Sequence, residues 1–245
     1  IAKEDLTAKY AAKKQFNEND KTDYPAADKY AAMVQSLDES VGRVTAALEA
    51  QGLDKNTVIV FTSDNGGVYA RGNNGPFRDG KATPYEGGIR EPLIIKWPGA
   101  IKAGSENETP VIGTDIYPTM LDIAGLPLKP KEHRDGLSLV PLLTQKGELD
   151  RDALYWHYPH YHKANPYSAM RAGDLKLIEY FEDGSLELYD LASDPTESND
   201  LAKERPELAK RLQKKLTRWR ASVDAQMMSP NLDYDPDAPW RRPQG

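Results

Sequence analysis

The sequence predicts an α/β fold that is followed by a small antiparallel sheet with one packed helix. Two observations carry this prediction. A helical pattern with one apolar face leads into a continuous β-branched run, an order of elements typical of a doubly wound α/β fold. Beyond about residue 150, short strand-like runs alternate with turn signals. We therefore expect residues 1–150 to form an α/β part and residues 151–245 to form an antiparallel subdomain with a helix and a tail.

The first helix is predicted from apolar side chains that recur at helical spacing. Gly52 follows them at the position expected for a helix C-cap. The apolar positions are Tyr30, Met33, Val34, Leu37, Val41, Val44 and Leu48. Such a stripe indicates a helix that buries one face against a neighbouring element.

Two strands are predicted in the α/β part. Residues 57–62 read TVIVFT and residues 92–97 read PLIIKW. Continuous apolar runs of this kind suit strands buried on both faces, as in a parallel sheet. A doubly wound sheet needs several such strands, so we expect this chain to be part of a larger domain.

Two further helices are predicted before residue 150. Residues 116–124 have a helical pattern between an N-cap signal at Thr114–Asp115 and Gly125. Residues 137–143 favour a short helix within a connection that is rich in proline and leucine.

The antiparallel subdomain is predicted from four short runs with turn signals between them. The runs cover residues 154–158, 168–171, 175–180 and 186–191. Pro206 then opens a helix whose apolar stripe consists of Leu208, Leu212, Leu216 and Trp219. The Pro/Asp-rich tail after Met228 suits a surface arm or disorder.

Composition excludes several classes of protein. The net charge of −6 gives no reason to expect a nucleic-acid partner, which favours a basic face. No apolar run approaches the ~20 residues that a membrane-spanning helix needs, and the first residues do not resemble a signal peptide. The absence of cysteine excludes disulfides, thiol catalysis and thiolate zinc sites.

Asp64 and Asn65 form the first candidate site, at the end of the predicted strand over residues 57–62. An Asn-Gly pair is often only a turn. However, ligands of parallel α/β sheets bind beyond the carboxyl ends of the strands. A carboxylate and an amide oxygen suit Ca²⁺ or Mg²⁺, and glycines 66 and 67 would let both side chains face one point. Two ligands are fewer than the ~6–8 oxygens that Ca²⁺ takes, so others must come from elsewhere.

The next segment, residues 80–92, reads GKATPYEGGIREP. Lys81 could approach an anionic group as a mobile point charge, although a solvated loop lysine is the simpler interpretation. We interpret Glu86, Arg90 and Glu91 as ion pairs that fix this loop rather than as catalysts.

Three of the four histidines occur in the segment HYPHYH, residues 157–162. They suit hydrogen-bonding aromatic residues at the junction of the two parts. The functional alternative is a rim, with His157 and His160, that recognises a sugar substrate. A metal site is a weaker alternative, because Pro159 favours a loop and no helical pair of histidines is present.

The segments SDNGG, GKATPYEGGIREP, PLIIKWPG and TDIYPTMLDIAGL together resemble the sulfatase family, whose members hydrolyse sulfate esters. MRAGDLKLIEY and LELYDLASDPTESNDLA resemble its C-terminal subdomain. The resemblance covers roughly residues 5–225. It implies an alkaline-phosphatase-like mixed sheet between helices, followed by a four-stranded antiparallel sheet. It also implies that Asp64 and Asn65 bind a metal, usually Ca²⁺, and that Lys81 contacts the substrate's sulfate.

One feature of the family is missing from this chain. Sulfatases use a formylglycine made from a Cys or Ser in a Cys/Ser-x-Pro-Ser-Arg-like motif, and the nearest match, residues 193–197 (SDPTE), lacks the arginine and suits a loop. The resemblance implies that the nucleophile and further metal-binding aspartates lie in an N-terminal half of the same protein. We therefore interpret the chain as the C-terminal portion of a sulfatase.

Three functional hypotheses follow. The first is a sulfatase that acts on a sulfated small molecule or saccharide. The second is a phosphate or phosphonate ester hydrolase of the same superfamily. The third is a non-catalytic binding module, because this chain has no nucleophile. Family members are often found outside the cytoplasm, which favours a periplasmic or secreted location.

Overall fold

The computed structural model describes residues 2–13, 27–69, 71–229 and 231–232. Nearly all of the tail after Met228 lies outside these residues. The helices are α1 (Glu4–Lys13), α2 (Ala27–Ala50), α3 (Glu86–Ile89), α4 (Ile116–Ile123), α5 (Val140–Leu143) and α6 (Pro206–Ser222). The strands are β1 (Ile59–Thr62), β2 (Leu93–Lys96), β3 (Leu154–Tyr158), β4 (Tyr167–Ala172), β5 (Leu175–Tyr180) and β6 (Leu186–Asp190). None of the helices among the described residues has the length and apolar character of a membrane-spanning segment.

The helix predicted from the first apolar stripe is confirmed as α2, but most of its stripe is not buried in this chain. Ala32 is its only buried residue. Met33, Leu37 and Val44 are 49%, 52% and 59% exposed. The apolar face of α2 therefore lacks a complete partner among the described residues.

The strands β1 and β2 correct the prediction of a parallel arrangement. They pair antiparallel, with Thr62 opposite Leu93 and Ile59 opposite Lys96. Neither strand is buried on both faces, and Ile94 is 63% exposed. The β-branched composition correctly predicted that these two segments form strands. It could not give strand direction, because direction depends on how the long connection between the strands folds.

The short α4 helix begins beside a buried polar residue. Asp115 is fully buried, accepts hydrogen bonds from the amides of Ile112 and Leu137 at 2.9 Å, and is paired with Arg151. This network joins the start of α4 to the segment that leads into β3. Asp115 thus occupies the N-cap position of α4 as predicted, but its side chain makes no capping hydrogen bond and instead connects three segments of the chain.

The C-terminal sheet has the simple order β3-β4-β5-β6, with every neighbouring pair antiparallel. One face packs against α6, where Met170, Leu177 and Leu188 form one buried cluster with Leu212 and Leu216. The other face carries a second cluster that includes Tyr167, Ile178 and Tyr189 together with Tyr85 from the α/β part. Both faces are therefore covered, and the second face joins the two parts of the chain.

Candidate active site

The segment after β1 places both predicted metal ligands at the end of that strand. The Asp64 side chain is exposed and Asn65 is partly buried. Nδ2 of Asn65 donates to the carbonyl oxygen of Gly66 at 3.3 Å, so Oδ1 is the atom with which Asn65 could bind a cation. Asp64 and Asn65 are hard oxygen donors, and they fit a Ca²⁺ or Mg²⁺ ion.

The glycines that follow allow two segments to approach closely. The amide of Gly66 donates to the carbonyl oxygen of Gly88 at 2.9 Å. A Cβ atom at Gly66 would lie 1.8 Å from the carbonyl oxygen of Gly87, and one at Gly88 would lie 2.4 Å from that of Thr83. Residues with side chains cannot replace these glycines without moving the backbone.

Lys81 lies on a loop that packs against this glycine segment (residues 78–86, the Lys81 loop). Its amide donates to the carbonyl oxygen of Gly67 at 3.0 Å. The Asn74 side chain joins the same two segments, since its Nδ2 donates to the carbonyl oxygens of Gly67 at 3.1 Å and Asp79 at 2.7 Å. The Lys81 side chain is exposed. The structure thus brings together the loop of Lys81 and the segment of Asp64 and Asn65, which are separated by a glycine-rich stretch in sequence.

The backbone around Lys81 has an unusual conformation. Asp79 and Ala82 have φ values of 60° and 73°, in the left-handed region that residues other than glycine rarely adopt. Such conformations persist only where surrounding contacts hold them, and they cluster at functional sites. The loop around Lys81 is therefore held in a defined shape by its neighbours.

Glu91 lies next to the candidate metal ligand Asp64, a position that the sequence patterns did not indicate. Because β2 runs antiparallel to β1, the residue before Pro92 lies beside Ser63 and Asp64. Burial and the charge of Asp64 raise the pKa of the Glu91 carboxyl, and a hydrogen bond with Ser63 opposes this. Its Oε1 is buried without a hydrogen-bond partner among the described residues. Of the predicted ion-pair set, Arg90 and Glu86 lie 3.8 Å apart, whereas Glu91 forms no ion pair among the described residues. An antiparallel pairing of the two apolar runs would have indicated the position of Glu91.

An open cleft of about 440 Å³ lies against the glycine segment. Its lining includes Gly66, Gly67, Asn74, Phe77, Arg90 and Glu91. The guanidinium of Arg90 lies 4.6 Å from the centre of the Phe77 ring, in cation–π geometry. The cleft therefore combines the Arg90 cation, the partly buried Glu91 carboxyl and a glycine backbone next to the candidate metal ligands.

The structure does not bring His157 to this site. His157 lies in β3 rather than in a loop, and its Nδ1 and Nε2 lie 2.8 Å from Ser168 Oγ and 2.7 Å from the Gln226 carbonyl oxygen. His157 lies opposite Ser168 on β4, and Ser168 lies opposite Glu179 on β5, so the three side chains share one face of the sheet. Glu179 on that face accepts a hydrogen bond from Arg220 of α6. His157 is thus on the α6 face, opposite to the face that contacts Tyr85. This geometry favours a structural histidine, so its predicted role in substrate binding rests on the sequence alone.

His160 lies in the loop after β3, and its ring packs edge-on against Tyr158 at 5.5 Å. Tyr158 packs in turn against the cluster that contains Tyr85. His160 is therefore connected to the face of the sheet that contacts the Lys81 loop. Among the residues that the structure describes, no three or more His, Cys, Asp or Glu side chains are grouped to hold a metal ion.

Comparison with known proteins identifies the family. The model of the sulfatase family matches residues 2–126, and the model of the C-terminal region of N-sulphoglucosamine sulphohydrolase matches residues 74–222. The chain belongs to the sulfatase family. The family's fold is alkaline-phosphatase-like, in agreement with the predicted fold class.

Individual proteins are similar over most of this chain. A sulfatase of Formosa agariphila is 40% identical over 240 residues, which cover 88% of this chain and 42% of that protein. An N-acetylglucosamine-6-O-sulfatase of Bacteroides thetaiotaomicron is 39% identical over 70% of this chain and 31% of its own length. The crystal structure of Ps i-CgsB in complex with a neocarrahexaose superposes with a TM-score of 0.78 and 29% identity, over 92% of this chain and 48% of that one. The chain thus spans less than half the length of each of these relatives.

Proposed function

We propose that the protein containing this chain is a sulfatase that hydrolyses sulfate esters of a carbohydrate. The observation that carries the proposal is the hydrogen bond that joins the Lys81 loop to the segment of Asp64 and Asn65. This arrangement places a mobile cation and two hard oxygen donors on adjoining segments. Family membership gives the reaction class, and two of the relatives named above act on or bind carbohydrates.

Lys81 has the catalytic role in this proposal. Its ammonium group would contact the sulfate oxygens and neutralise the negative charge that develops on the transferring group. The Lys81 side chain is exposed, so it would be accessible to a substrate.

Asp64 and Asn65 would hold Ca²⁺, or Mg²⁺ as an alternative, through the Asp64 carboxylate and Asn65 Oδ1. When bound, such an ion would act as a Lewis acid toward the sulfate oxygens. We expect the remaining ligands, and a formylglycine nucleophile, to come from an N-terminal half of the same protein.

The same N-terminal half is the proposed partner of the exposed apolar surfaces. Met33, Leu37 and Val44 of α2 and Ile94 of β2 are each about half exposed or more. A mixed sheet enclosed by helices would cover these side chains, which cost free energy when they face water. The lengths of the relatives support this proposal, because each relative is more than twice as long as the segment that this chain matches.

His160 is the better placed of the two histidines for a substrate-binding rim, since it contacts the sheet face that meets the Lys81 loop. We also propose a periplasmic or secreted location, as in many members of the family. We propose neither a nucleic-acid partner nor a membrane-spanning segment, in keeping with the acidic composition.

The test is the turnover of matched aryl sulfate and aryl phosphate substrates by the full-length protein and its Lys81→Ala variant. We expect a preference for sulfate and a decrease in kcat of about 10²–10³ in the variant. Lys102→Ala, at another exposed lysine, is the matched control and should retain activity. A preference for phosphate would indicate a phosphate ester hydrolase instead, and absence of turnover would indicate a binding module. A change in kcat of only a few-fold would remove Lys81 from catalysis.

A further inference from the structure

A buried cluster of charges outside the candidate site lies between the C-terminal sheet and the Lys81 loop. Lys176 of β5 and Glu197 are fully buried, and Glu86 is 2% exposed. Nζ of Lys176 lies 3.0 Å from Glu86 Oε1 and 2.7 Å from Glu197 Oε1. Charged groups are rarely buried unless they are paired with an opposite charge. Here the positive charge of Lys176 compensates for the negative charges of the two carboxylates, Glu86 and Glu197.

Glu197 also binds the backbone of the loop. Its Oε2 accepts a hydrogen bond from the amide of Glu86 at 2.6 Å. The guanidinium groups of Arg171 and Arg90 lie 3.6 Å and 3.8 Å from the second oxygen of Glu86. Glu197 itself has a left-handed backbone, with a φ of 53°. The cluster therefore fixes residue 86, at the C-terminal end of the Lys81 loop.

The N-terminal end of the loop is held by the same sheet. Nη1 of Arg78 donates to the hydroxyl of Tyr189 at 2.9 Å and to the carbonyl oxygen of Glu197 at 3.0 Å. Its guanidinium also lies 3.7 Å from the centre of the Tyr85 ring. Residues 78 and 86 are thus both attached to the C-terminal sheet, and Lys81 lies between them.

We propose that Lys176 is a positioning residue for Lys81. Lys176 holds Glu86 and Glu197 together, these hold both ends of residues 78–86 on the C-terminal sheet, and the loop presents Lys81 against Gly67. The antiparallel subdomain is then a support for the catalytic lysine as well as a packing module. This inference rests on the proposed sulfatase activity for its effect on turnover, but not for its effect on the loop.

The kinetic test is a double-mutant cycle in the full-length protein with Lys176→Met and Lys81→Ala. A small displacement of a catalytic group can cost about 100-fold in rate. We therefore expect Lys176→Met to lower kcat at least tenfold, with a smaller change in KM. In the Lys81→Ala background, the same substitution should change kcat less than twofold, because the group that it positions is already absent. Equal losses in both backgrounds would overturn the proposal, since a purely structural role would lower kcat in either.

A second measurement does not require activity. Hydrogen exchange of the Lys81 amide reports its bond to Gly67, and we expect exchange at least tenfold faster in Lys176→Met than in the native protein. Lys203→Met, at an exposed lysine of the same subdomain, is the control and should leave this exchange rate unchanged. Unchanged exchange of the Lys81 amide in folded Lys176→Met would overturn the proposal even in a protein with no sulfatase activity.

Lys176→Met leaves two carboxylates buried near each other, so that variant has a high risk of misfolding. The double variant Lys176→Met/Glu197→Gln removes one charge of each sign and keeps an acceptor for the Glu86 amide. If the single variant is not recovered folded, the double variant takes its place in both tests, with the same expected and opposing results.

Discussion

The amide nitrogen of Lys81 lies 3.0 Å from the carbonyl oxygen of Gly67. This bond joins the loop of the candidate catalytic lysine to the segment that carries both candidate metal ligands. The two groups therefore have a fixed backbone relationship, although Gly67 and Lys81 belong to different sequence motifs. Their approach depends on small residues and on support from the C-terminal sheet, and each of these dependences can be measured.

Gly66→Ala tests the close approach of the two segments. Its new Cβ atom would lie 1.8 Å from the carbonyl oxygen of Gly87, and backbone atoms there cannot move without breaking the bond between Gly66 and Gly88. We expect a loss of about 3 kcal/mol or more in the free energy of unfolding, measured by urea titration. Gly42→Ala is the control: it has no neighbour within 4 Å and should stabilise helix α2 by about 0.5–1 kcal/mol. Equal effects of the two substitutions would contradict the described packing.

Asp64→Ala tests the proposed metal site. Removing a charged oxygen ligand should lower the bound Ca²⁺ of the full-length protein, measured by elemental analysis after dialysis, and should weaken Ca²⁺ binding in calorimetry. The native protein should gain thermal stability with increasing Ca²⁺, because an ion that binds only the folded state stabilises it. Asp183→Ala, at an exposed turn of the C-terminal subdomain, is the control. Unchanged metal content in Asp64→Ala would exclude this residue as a ligand.

Arg151→Met tests the buried ion pair between Arg151 and Asp115 at the start of α4. Asp115 is fully buried, and Arg151 contacts it in a bidentate pair in which Nη1 lies 2.9 Å from Oδ2. Loss of the guanidinium leaves an uncompensated buried carboxylate, so we expect a decrease of about 3–5 kcal/mol in the free energy of unfolding.

The matched control for that experiment is Lys3→Met, which breaks the exposed pair between Lys3 and Glu39. Exposed pairs contribute at most about 1 kcal/mol, so the control should change stability little. A small effect of Arg151→Met would show that Asp115 is satisfied by the amides of Ile112 and Leu137 alone.

Glu197→Gln tests the pH dependence of the buried cluster. Burial raises the pKa of Glu197 above its ordinary value of 4.5, and the charge of Lys176 opposes this shift. The Glu197 carboxyl therefore binds its proton more tightly in the folded state than in the unfolded state. As the pH rises above about 4.5, the unfolded state loses this proton first, and the contribution of Glu197 to the free energy of unfolding decreases. The Glu197→Gln variant lacks this contribution. The free energy of unfolding of the variant, relative to that of the native protein, should therefore increase as the pH rises above about 4.5.

Urea unfolding of both proteins at several pH values between about 4 and 7 measures this difference. The difference should become constant once the pH exceeds the pKa of Glu197 in the folded protein. A difference that decreases with pH would mean that Lys176 lowers the pKa of Glu197 by more than burial raises it.

Local patterns in the sequence determined the elements of this protein. The spacing of apolar residues predicted α2 and α6, and alternating strand and turn signals predicted β3 to β6 close to their observed bounds. These elements depend on interactions between residues near each other in the chain, which a sequence displays directly. The motifs around Asp64 and Lys81 likewise indicated the sulfatase family, and the matches to the family models confirm this prediction.

The tertiary structure decided what those elements contact. The antiparallel pairing of β1 with β2 brings Glu91 beside Asp64, and β3 directs His157 to the face opposite to the Lys81 loop. It also pairs Lys176 with Glu86, 90 residues away in sequence. Strand direction and distant charge pairs depend on how connections close in space, and local patterns do not encode that closure.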